Sequence, residues 1–407
     1  MFLDIFKHLS DKAKEKRGKG VFLLLLLLFF LTDTLNVVIP GLSDGKFGYT
    51  SPYTMLSSIS KGAFLMCYCI YALLFHTKKF LIVTGTLLIF FITAYFTYPE
   101  EDFYFYFTWI IRPAKLILPF ILFDIIKHVR IESVNKVFNV FAALIALQSV
   151  VVIIAFLFGI DFFLTYGDNR FGYIGLIEAR NEATFYYAIA VIFLLRQWQV
   201  KKTKLHLILM SLALIASALL GTKAVFILHA SLMIYMALSQ NKFNKLVLLS
   251  VLFVLGSILL YSFYYFGAFD FFIEYLHQSD WLTMITSFRN LLIQERLPVV
   301  FSKWEWYNYL FGGINPTNSY VEMDIIDLFT FSGLVGSIIF YWMLFKSLFK
   351  FSKKNYLGWF LVSQYIIIGG LAGHVFASGI NAIYLALTCY YLQQTEMNLK
   401  ECKEERG

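Results

Sequence analysis

Three acidic residues near the end of a long polar segment are the first candidates for chemistry in this sequence. Glu322, Asp324 and Asp327 come just before an apolar run. At helical spacing, Asp324 and Asp327 share one face. A carboxylate at the start of a helix is commonly a cap that suits the helix dipole, but three carboxylates leave room for a general base. We therefore predict that Glu322 or Asp324 acts as a base.

Arg112 and Lys115 are cations inside an apolar stretch, and their spacing places them on one helix face. A charge within a membrane span costs on the order of 3 kcal/mol, so it usually faces a partner or a water-filled cavity. The two cations could reach the membrane surface or bind an internal acid such as Asp124 or Glu101. They could also form an anion site that opens to the outside, and we predict this second arrangement.

Further cations lie at the ends of apolar runs and in the long polar segment. Arg170 and Arg180 precede one apolar run, Lys223 occupies a tight turn between two others, and Arg289 lies in the polar segment. Any one of them could be a solvated loop charge. Guanidinium groups bind phosphate through paired hydrogen bonds. Their convergence on one membrane face therefore predicts a lipid-linked phosphate or diphosphate as the ligand.

The elements that must position these side chains are apolar helices. The chain of 407 residues is 59% hydrophobic and only 15% charged, far from the globular average. Runs such as Val21–Leu31, Leu81–Ile92 and Leu246–Leu260 are long enough to span a bilayer once their flanks are included. Lipid forces such spans to be helical. We predict an all-α polytopic integral membrane protein, a single domain of residues 1–407 with about twelve transmembrane helices.

The basic residues predict the orientation of these helices. Most Lys and Arg fall in short runs at every second connection, so both termini are predicted to be cytoplasmic. The net charge of +8 is thus a topology signal and does not indicate nucleic acid. The basic region before the first apolar run resembles a signal peptide, but no small-residue cleavage site follows, which favours an uncleaved span. The candidate residues then fall mainly in a large outer loop, 267–327, between helices 9 and 10, and in a second outer loop, 159–181.

Metal and nucleotide chemistry are not indicated. The four cysteines lack metal-ligand spacing, and His277 and His374 are isolated in the sequence. No nucleotide-binding glycine motif occurs in a predicted cytoplasmic segment. We predict no cofactor and no essential metal.

Several short motifs follow one another between about Asp161 and Phe345. They are Arg170-Phe-Gly172, Arg180-Asn-Glu182, Gly221-Thr-Lys223, Asn318-Ser-Tyr320 and Gly333-Leu-Val-Gly336. With the predicted topology, they make the chain resemble the bacterial polysaccharide polymerases that assemble O-antigen or capsule, and the related O-antigen ligases. Thr317 stands where the ligases have a His, which favours a polymerase. Lys223 stands where many relatives have Arg, which weakens a bidentate role there.

The resemblance implies a glycosyltransferase on the outer, periplasmic side of the bacterial cytoplasmic (inner) membrane. The donor would be a growing glycan on undecaprenyl diphosphate, and the acceptor a sugar hydroxyl on a lipid-linked oligosaccharide repeat unit. Cations would stabilise the charge of the leaving diphosphate: Arg170, Arg180 and Arg289 first, then Arg112 and Lys223. The base would be Glu322 or Asp324. Asn318 and Tyr320 would contact sugar, although such aromatic residues could equally belong to the interfacial belt.

Two alternatives stay open at this stage. One is an O-antigen ligase that transfers glycan to a lipid core, and the other is a flippase or transporter of lipid-linked oligosaccharide. A transporter should carry charges through the middle of the membrane, whereas the predicted spans six to twelve contain little mid-span charge apart from His229. The expected partners of a polymerase are membrane lipid, a flippase and a chain-length regulator, and no nucleic acid.

Overall fold

A computed structural model describes residues 11–43, 56–100, 103–127, 131–165, 171–177, 179–239, 264, 280–313 and 320–404. Within these ranges the backbone is helical apart from short connections, a 3-10 turn at Asp161–Phe163 and one antiparallel bridge between Leu164 and Tyr173. The described part of the chain is therefore all-helical, as the composition predicts.

The helices are numbered here in chain order. They are α1, Asp11–Ser43; α2, Leu56–Phe75; α3, Thr77–Thr97; α4, Phe103–Lys127; α5, Ile131–Phe158; α6, Arg180–Lys201; α7, Lys204–Ala218; α8, Lys223–Ser239; α9, Trp281–Thr286; α10, Arg289–Ser302; α11, Trp306–Phe311; α12, Asp324–Lys346; α13, Tyr356–Ala372; and α14, Gly379–Glu404.

Five of the described helices contain stretches long and apolar enough to cross a membrane: Gly20–Ile39 of α1, α2, α3, Asn135–Phe158 of α5, and α12. Helices α7, α8 and α13 are apolar but shorter. Large apolar side chains on α2 and α3 lie on the surface, as lipid-facing residues would; Met66 is 67% exposed and Phe96 is 66% exposed. The structure is consistent with a helical membrane protein. It leaves the number of about twelve spans as a prediction, and the apolar run Leu246–Leu260, which is also predicted to span the bilayer, lies outside the described residues.

Helix α6 lies at the centre of the bundle. Its residues from Ala183 to Leu195 are all buried, and it packs against α7, α13 and α14. A helix that is apolar all round belongs in an interior. On α14, the Tyr384 ring stacks on Phe141 of α5 with centroids 5.0 Å apart and meets the edge of Tyr186 of α6 at 4.9 Å. This packing fixes the first residues of α6 beside the start of α14.

Helix α12 is interrupted at Gly333, where φ is 63° and ψ is −171°. A β-carbon at Gly333 would overlap the backbone of Leu310, so the close approach of α11 requires glycine. Helix α11 also packs against α3. The segment predicted as one large loop, 267–327, contains α9, α10 and α11 in its described part, and these short helices position the chain that enters α12.

Candidate functional site

Three of the predicted site residues, Arg289, Glu322 and Asp324, meet beside the connection between α13 and α14. This connection, residues 373–378, is called the α13–α14 break below. Gly373 has a φ of +66°, and a β-carbon there would overlap the carbonyl of Glu322. Only glycine combines this backbone conformation with such a close approach. The α13–α14 break therefore lies directly against the segment that carries the three predicted acids.

Asp324 holds the α13–α14 break in place. Its Oδ1 accepts from the backbone N–H of His374 at 2.8 Å, and its Oδ2 accepts from the N–H groups of Val375 at 2.6 Å and Phe376 at 2.8 Å. Asp324 is only 2% exposed. Hydrogen bonds to an ionised acceptor are short and strong. This geometry favours a structural role for Asp324 over the predicted role as a base.

Arg289 connects the start of α10 to the same region. Its Nη2 donates to Glu322 Oε2 at 3.1 Å and to the Ala372 carbonyl at 3.1 Å, and its Nε donates to the Glu322 carbonyl at 2.8 Å. Arg289 is buried, whereas the Glu322 side chain is 45% exposed. Arg289 is thus a fixed cation with its predicted acidic neighbour beside it, and Glu322 is the more accessible of the two predicted bases.

Arg112 of α4 joins this group from the opposite side. Its guanidinium carbon lies 3.6 Å from the centre of the Tyr320 ring, and its Nη2 lies 3.8 Å from Asp327 Oδ2. Asp327 Oδ1 accepts from the Val321 N–H at 2.9 Å. Burial raises the pKa of the Tyr320 phenol, so this side chain stays neutral. The internal acid that pairs with Arg112 is thus Asp327, whereas Asp124 pairs with Lys79 at 2.5 Å.

The Arg180-Asn-Glu182 motif contacts the α13–α14 break as well. Asn181 Nδ2 donates to the Ala372 carbonyl, the same oxygen that accepts from Arg289. The backbone carbonyl of Glu182 accepts from Asn381 Nδ2 at 2.9 Å. Two stretches more than a hundred residues apart in sequence therefore converge on one carbonyl oxygen.

Lys223 begins α8 close to the start of α6. The Thr222 hydroxyl lies 2.8 Å from that of Thr184, which itself donates to the Arg180 carbonyl at 3.1 Å. The turn with Lys223 is therefore next to the motif with Arg180. Arg170 and Asn318, predicted to bind diphosphate and sugar, lie outside the described residues.

An apolar cavity of about 320 Å³ lies between α3, α4 and α12. Pro113, the neighbour of Arg112, lines the cavity, and the Lys79–Asp124 ion pair lines it farther along α4. Eleven helical residues separate Pro113 from Asp124, a length of about 17 Å. Most of the lining between them is aliphatic or aromatic, including Leu116, Phe120 and Val335. The cavity is thus mainly apolar, and its lining on α4 begins at Pro113, the residue after Arg112.

Sequence reasoning missed the residues that assemble the site. The motif Arg180-Asn-Glu182 includes Asn181 but predicts no role for it, and no prediction names Asn381 or the backbone of residues 372–376. The available signal was Gly373, which with nearby Gly379 interrupts the last apolar stretch. Among the described residues, no group of three His, Cys, Asp or Glu side chains is arranged to hold a metal ion.

Comparison with known proteins adds no assignment. No family model matches the sequence, and no curated protein matches it. The functional conclusion therefore rests on the geometry of the site and on the motifs.

Proposed function

We propose that this protein is a membrane-embedded glycosyltransferase that polymerises a polysaccharide. It moves a growing glycan from undecaprenyl diphosphate onto a hydroxyl of a lipid-linked oligosaccharide repeat unit. The hydroxyl oxygen bonds to the anomeric carbon, the bond from that carbon to the diphosphate oxygen breaks, and the diphosphate leaves with the electron pair. The hydroxyl proton passes to a carboxylate.

The observation that carries this proposal is the shared contact of Arg289 and Asn181 with the Ala372 carbonyl. It unites the motif that begins α6 with α10, which lies in the long segment before α12. Both belong to the part of the chain, about Asp161 to Phe345, that the polymerase resemblance covers. Cations, acids and an aromatic ring thus surround one break in the helix bundle. A transfer reaction with an anionic leaving group requires this combination.

The proposal includes the finer topology. The chain crosses the cytoplasmic membrane of a bacterium about twelve times, with both termini in the cytoplasm. Segments 267–327 and 159–181 are outer loops, so the site opens on the periplasmic side. The positive-inside pattern of the basic connections supports this orientation.

The cations have distinct roles in the proposal. Arg289 is buried and held by four acceptors, so it is oriented before the substrate arrives. This is the condition for strong stabilisation of a developing charge. Arg180 and Lys223 lie on the α6 side, and in the proposal they bind the lipid diphosphate together with Arg170. Arg112 adds positive charge where the apolar cavity begins.

The apolar cavity supports a lipid-linked substrate. An isoprenoid chain that lies along α4 would place its diphosphate near Arg112, because Pro113 lines the cavity. The chain would bury apolar surface at about 25 cal/mol per Å². A soluble sugar nucleotide has no apolar chain that could occupy this cavity.

The proposed reaction needs a proton acceptor and a surface for sugar. Glu322 is the accessible acid of the two predicted from sequence, because the oxygens of Asp324 are occupied by three backbone donors. Tyr320 and Asn318 are the proposed sugar contacts. One face of the Tyr320 ring is covered by Arg112, so sugar would approach the ring from its other face or its edge.

One observation favours a second candidate function, transport of lipid-linked oligosaccharide. Lys61 of α2 and Asp33 of α1 form an ion pair at 2.8 Å whose side chains are 8% and 10% exposed. Charges buried between apolar helices frequently mark a substrate or ion path. Polymerase and transporter differ in whether a covalent bond forms, so one assay separates them.

The test uses the purified protein in detergent with a lipid-linked repeat unit as both donor and acceptor. We expect chains of increasing length on a gel, and we expect Arg289→Ala to abolish them while the protein remains folded. Lys303→Ala is the matched control, because Lys303 is an exposed cation in the same segment. Failure of the unmodified protein to make any chain would contradict the proposed function.

A further inference from the structure

Four ionisable side chains form a second cluster beside the site, between α1, α2, α4 and α6. They are Asp33, Lys61, Lys115 and Glu182, and each interacts electrostatically with the others of the group. Lys61 pairs with Asp33 at 2.8 Å and 3.2 Å and contacts the Ser57 hydroxyl at 2.5 Å. Lys61 also packs on the start of α14, where a β-carbon on Gly379 would lie 2.8 Å from its Cδ. The cluster therefore lies inside the bundle.

Lys115 and Glu182 differ from this tight pair. Within the described ranges, neither side chain has an ion-pair partner at contact distance. The Glu182 carboxylate faces the Lys115 and Lys61 charges and the Ser378 hydroxyl. It is a partly buried carboxylate whose charge is balanced without a direct ion pair.

The other carboxylates of this region are already engaged. Asp33 binds Lys61, Glu322 binds Arg289, and Asp327 binds Arg112 and a backbone N–H. Asp324 accepts three backbone N–H groups. Glu182 is thus the carboxylate that the fold leaves most available for a proton.

Near the start of α14, two buried polar atoms lack partners in the described part of the chain, and one of them belongs to Asn381, which contacts Glu182. Asn381 is 1% exposed and Tyr384 is fully buried, yet among the described residues Asn381 Oδ1 and the Tyr384 hydroxyl have no hydrogen-bond partner. These side chains lie three residues apart on α14, hence on one face. Asn381 Nδ2 meanwhile holds the Glu182 backbone carbonyl. Each unsatisfied buried group costs about 1–3 kcal/mol. A bound sugar would recover this cost at Asn381 if one of its other hydroxyls donated to Oδ1, which leaves the proton of the acceptor hydroxyl for Glu182.

We infer that Glu182, in place of Glu322, is the catalytic base of the proposed transfer. The acceptor hydroxyl binds beside the Glu182 carboxylate, and a neighbouring hydroxyl of the same sugar donates to Asn381 Oδ1. The inference rests on the proposed function. As the acceptor oxygen bonds to the anomeric carbon, its proton passes to Glu182, and the electron pair of the broken bond leaves with the diphosphate. Lys115 stabilises the carboxylate before the transfer.

The position of Glu182 between the two cation sites suits this role. Its neighbour Asn181 shares the Ala372 carbonyl with Arg289, while Lys115 is one helical turn from Arg112 and interacts with it. A leaving diphosphate held by these arginines would lie on the far side of the anomeric carbon from the acceptor. A single displacement with inversion requires a base on that acceptor side.

The test compares four variants in the chain-extension assay: Glu182→Gln, Glu182→Asp, Glu322→Gln, and the double variant Lys115→Met with Glu182→Gln. We expect Glu182→Gln to lower the extension rate at least about 100-fold, the usual lower bound for a lost general base. Glu182→Asp should retain part of the rate. Glu322→Gln should lower the rate far less, because Glu322 is exposed and bound to Arg289.

The double variant separates catalysis from charge balance. If Glu182 served only to balance Lys115, removing both charges would restore extension. A catalytic base predicts that the double variant folds, as judged by its thermal unfolding, and stays inactive. Native mass spectrometry adds a second readout, because Glu182→Gln should still bind the lipid-linked repeat unit.

Recovery of extension in the double variant would overturn the assignment of Glu182. So would normal extension by Glu182→Gln, or loss of its substrate binding. In those cases the unmodified protein still makes chains and only this inference fails. Absence of extension by the unmodified protein would instead remove the proposed function and this inference together.

Discussion

The guanidinium of Arg112 lies over the Tyr320 ring, with its central carbon 3.6 Å from the ring centre, and its Nη2 lies 3.8 Å from Asp327 Oδ2. A charge in α4 is thereby bound to the segment that enters α12. The Asp327 side chain is 1% exposed, so its charge depends on Arg112. This relationship explains how a cation persists inside an apolar helix.

The first prediction concerns this pair. Arg112→Ala should destabilise the protein by about 3–5 kcal/mol, because it leaves a buried carboxylate without a counter-charge. The double variant Arg112→Ala with Asp327→Asn should recover most of that loss. Denaturation in detergent measures both variants, and a double variant no more stable than Arg112→Ala would contradict the pairing.

The second prediction tests the role of Asp324. Asp324→Asn should destabilise the protein by about 2–3 kcal/mol or more, since the carboxylate accepts three backbone N–H groups at the α13–α14 break. Glu322→Gln is the control in the same segment and should leave the melting temperature almost unchanged. An Asp324→Asn protein of normal stability but without activity would instead support the original prediction that Asp324 is a base.

The third prediction concerns Gly373. Gly373→Ala should prevent stable folding or greatly lower the melting temperature, because φ is +66° and the new β-carbon would overlap the Glu322 carbonyl. Gly370→Ala is the matched control on α13, where the nearest atom to a β-carbon is Ile325 Cδ1 at 3.3 Å. Equal stability of the two variants would show that the α13–α14 break does not pack closely on Glu322.

The fourth prediction tests whether the apolar cavity holds the isoprenoid chain. Val335→Trp should fill part of the cavity and lower extension with a long-chain lipid carrier, with a smaller effect on a short-chain analogue. Leu334→Trp is the control, because Leu334 is its neighbour on α12 and is 51% exposed outside the cavity. An equal loss of extension with both carriers would show that the cavity does not hold the lipid chain.

The helices were predictable because composition and apolar run length determine them. The apolar stretch predicted to span at about 105–126 is helical, as α4, Phe103–Lys127. It is not among the five described stretches that are long and apolar enough to cross a membrane. The breaks were harder to predict. The eleventh predicted span, about 356–376, ends early at Ala372, because Asp324 and Asn181 bind backbone groups there that only the tertiary structure brings together.

The acids illustrate the limit of sequence patterns most clearly. Glu322, Asp324 and Asp327 lie within six residues, yet one is exposed beside Arg289, one binds backbone N–H groups, and one pairs with Arg112. Helical spacing predicts which residues share a face, but not which partner each side chain meets. Glu182 appears in the sequence only as the last residue of a motif. Its role could not be predicted, because its neighbours come from α2, α4 and α14.

The most direct test of the central claim is the stoichiometry of the reaction catalysed by the purified protein. If the protein is a polymerase, we expect one undecaprenyl diphosphate to be released for every repeat unit added to a chain. We expect Arg289→Ala to abolish both release and extension. Movement of the lipid-linked oligosaccharide across a vesicle membrane, with no undecaprenyl diphosphate released and no new glycosidic bond, would contradict this claim.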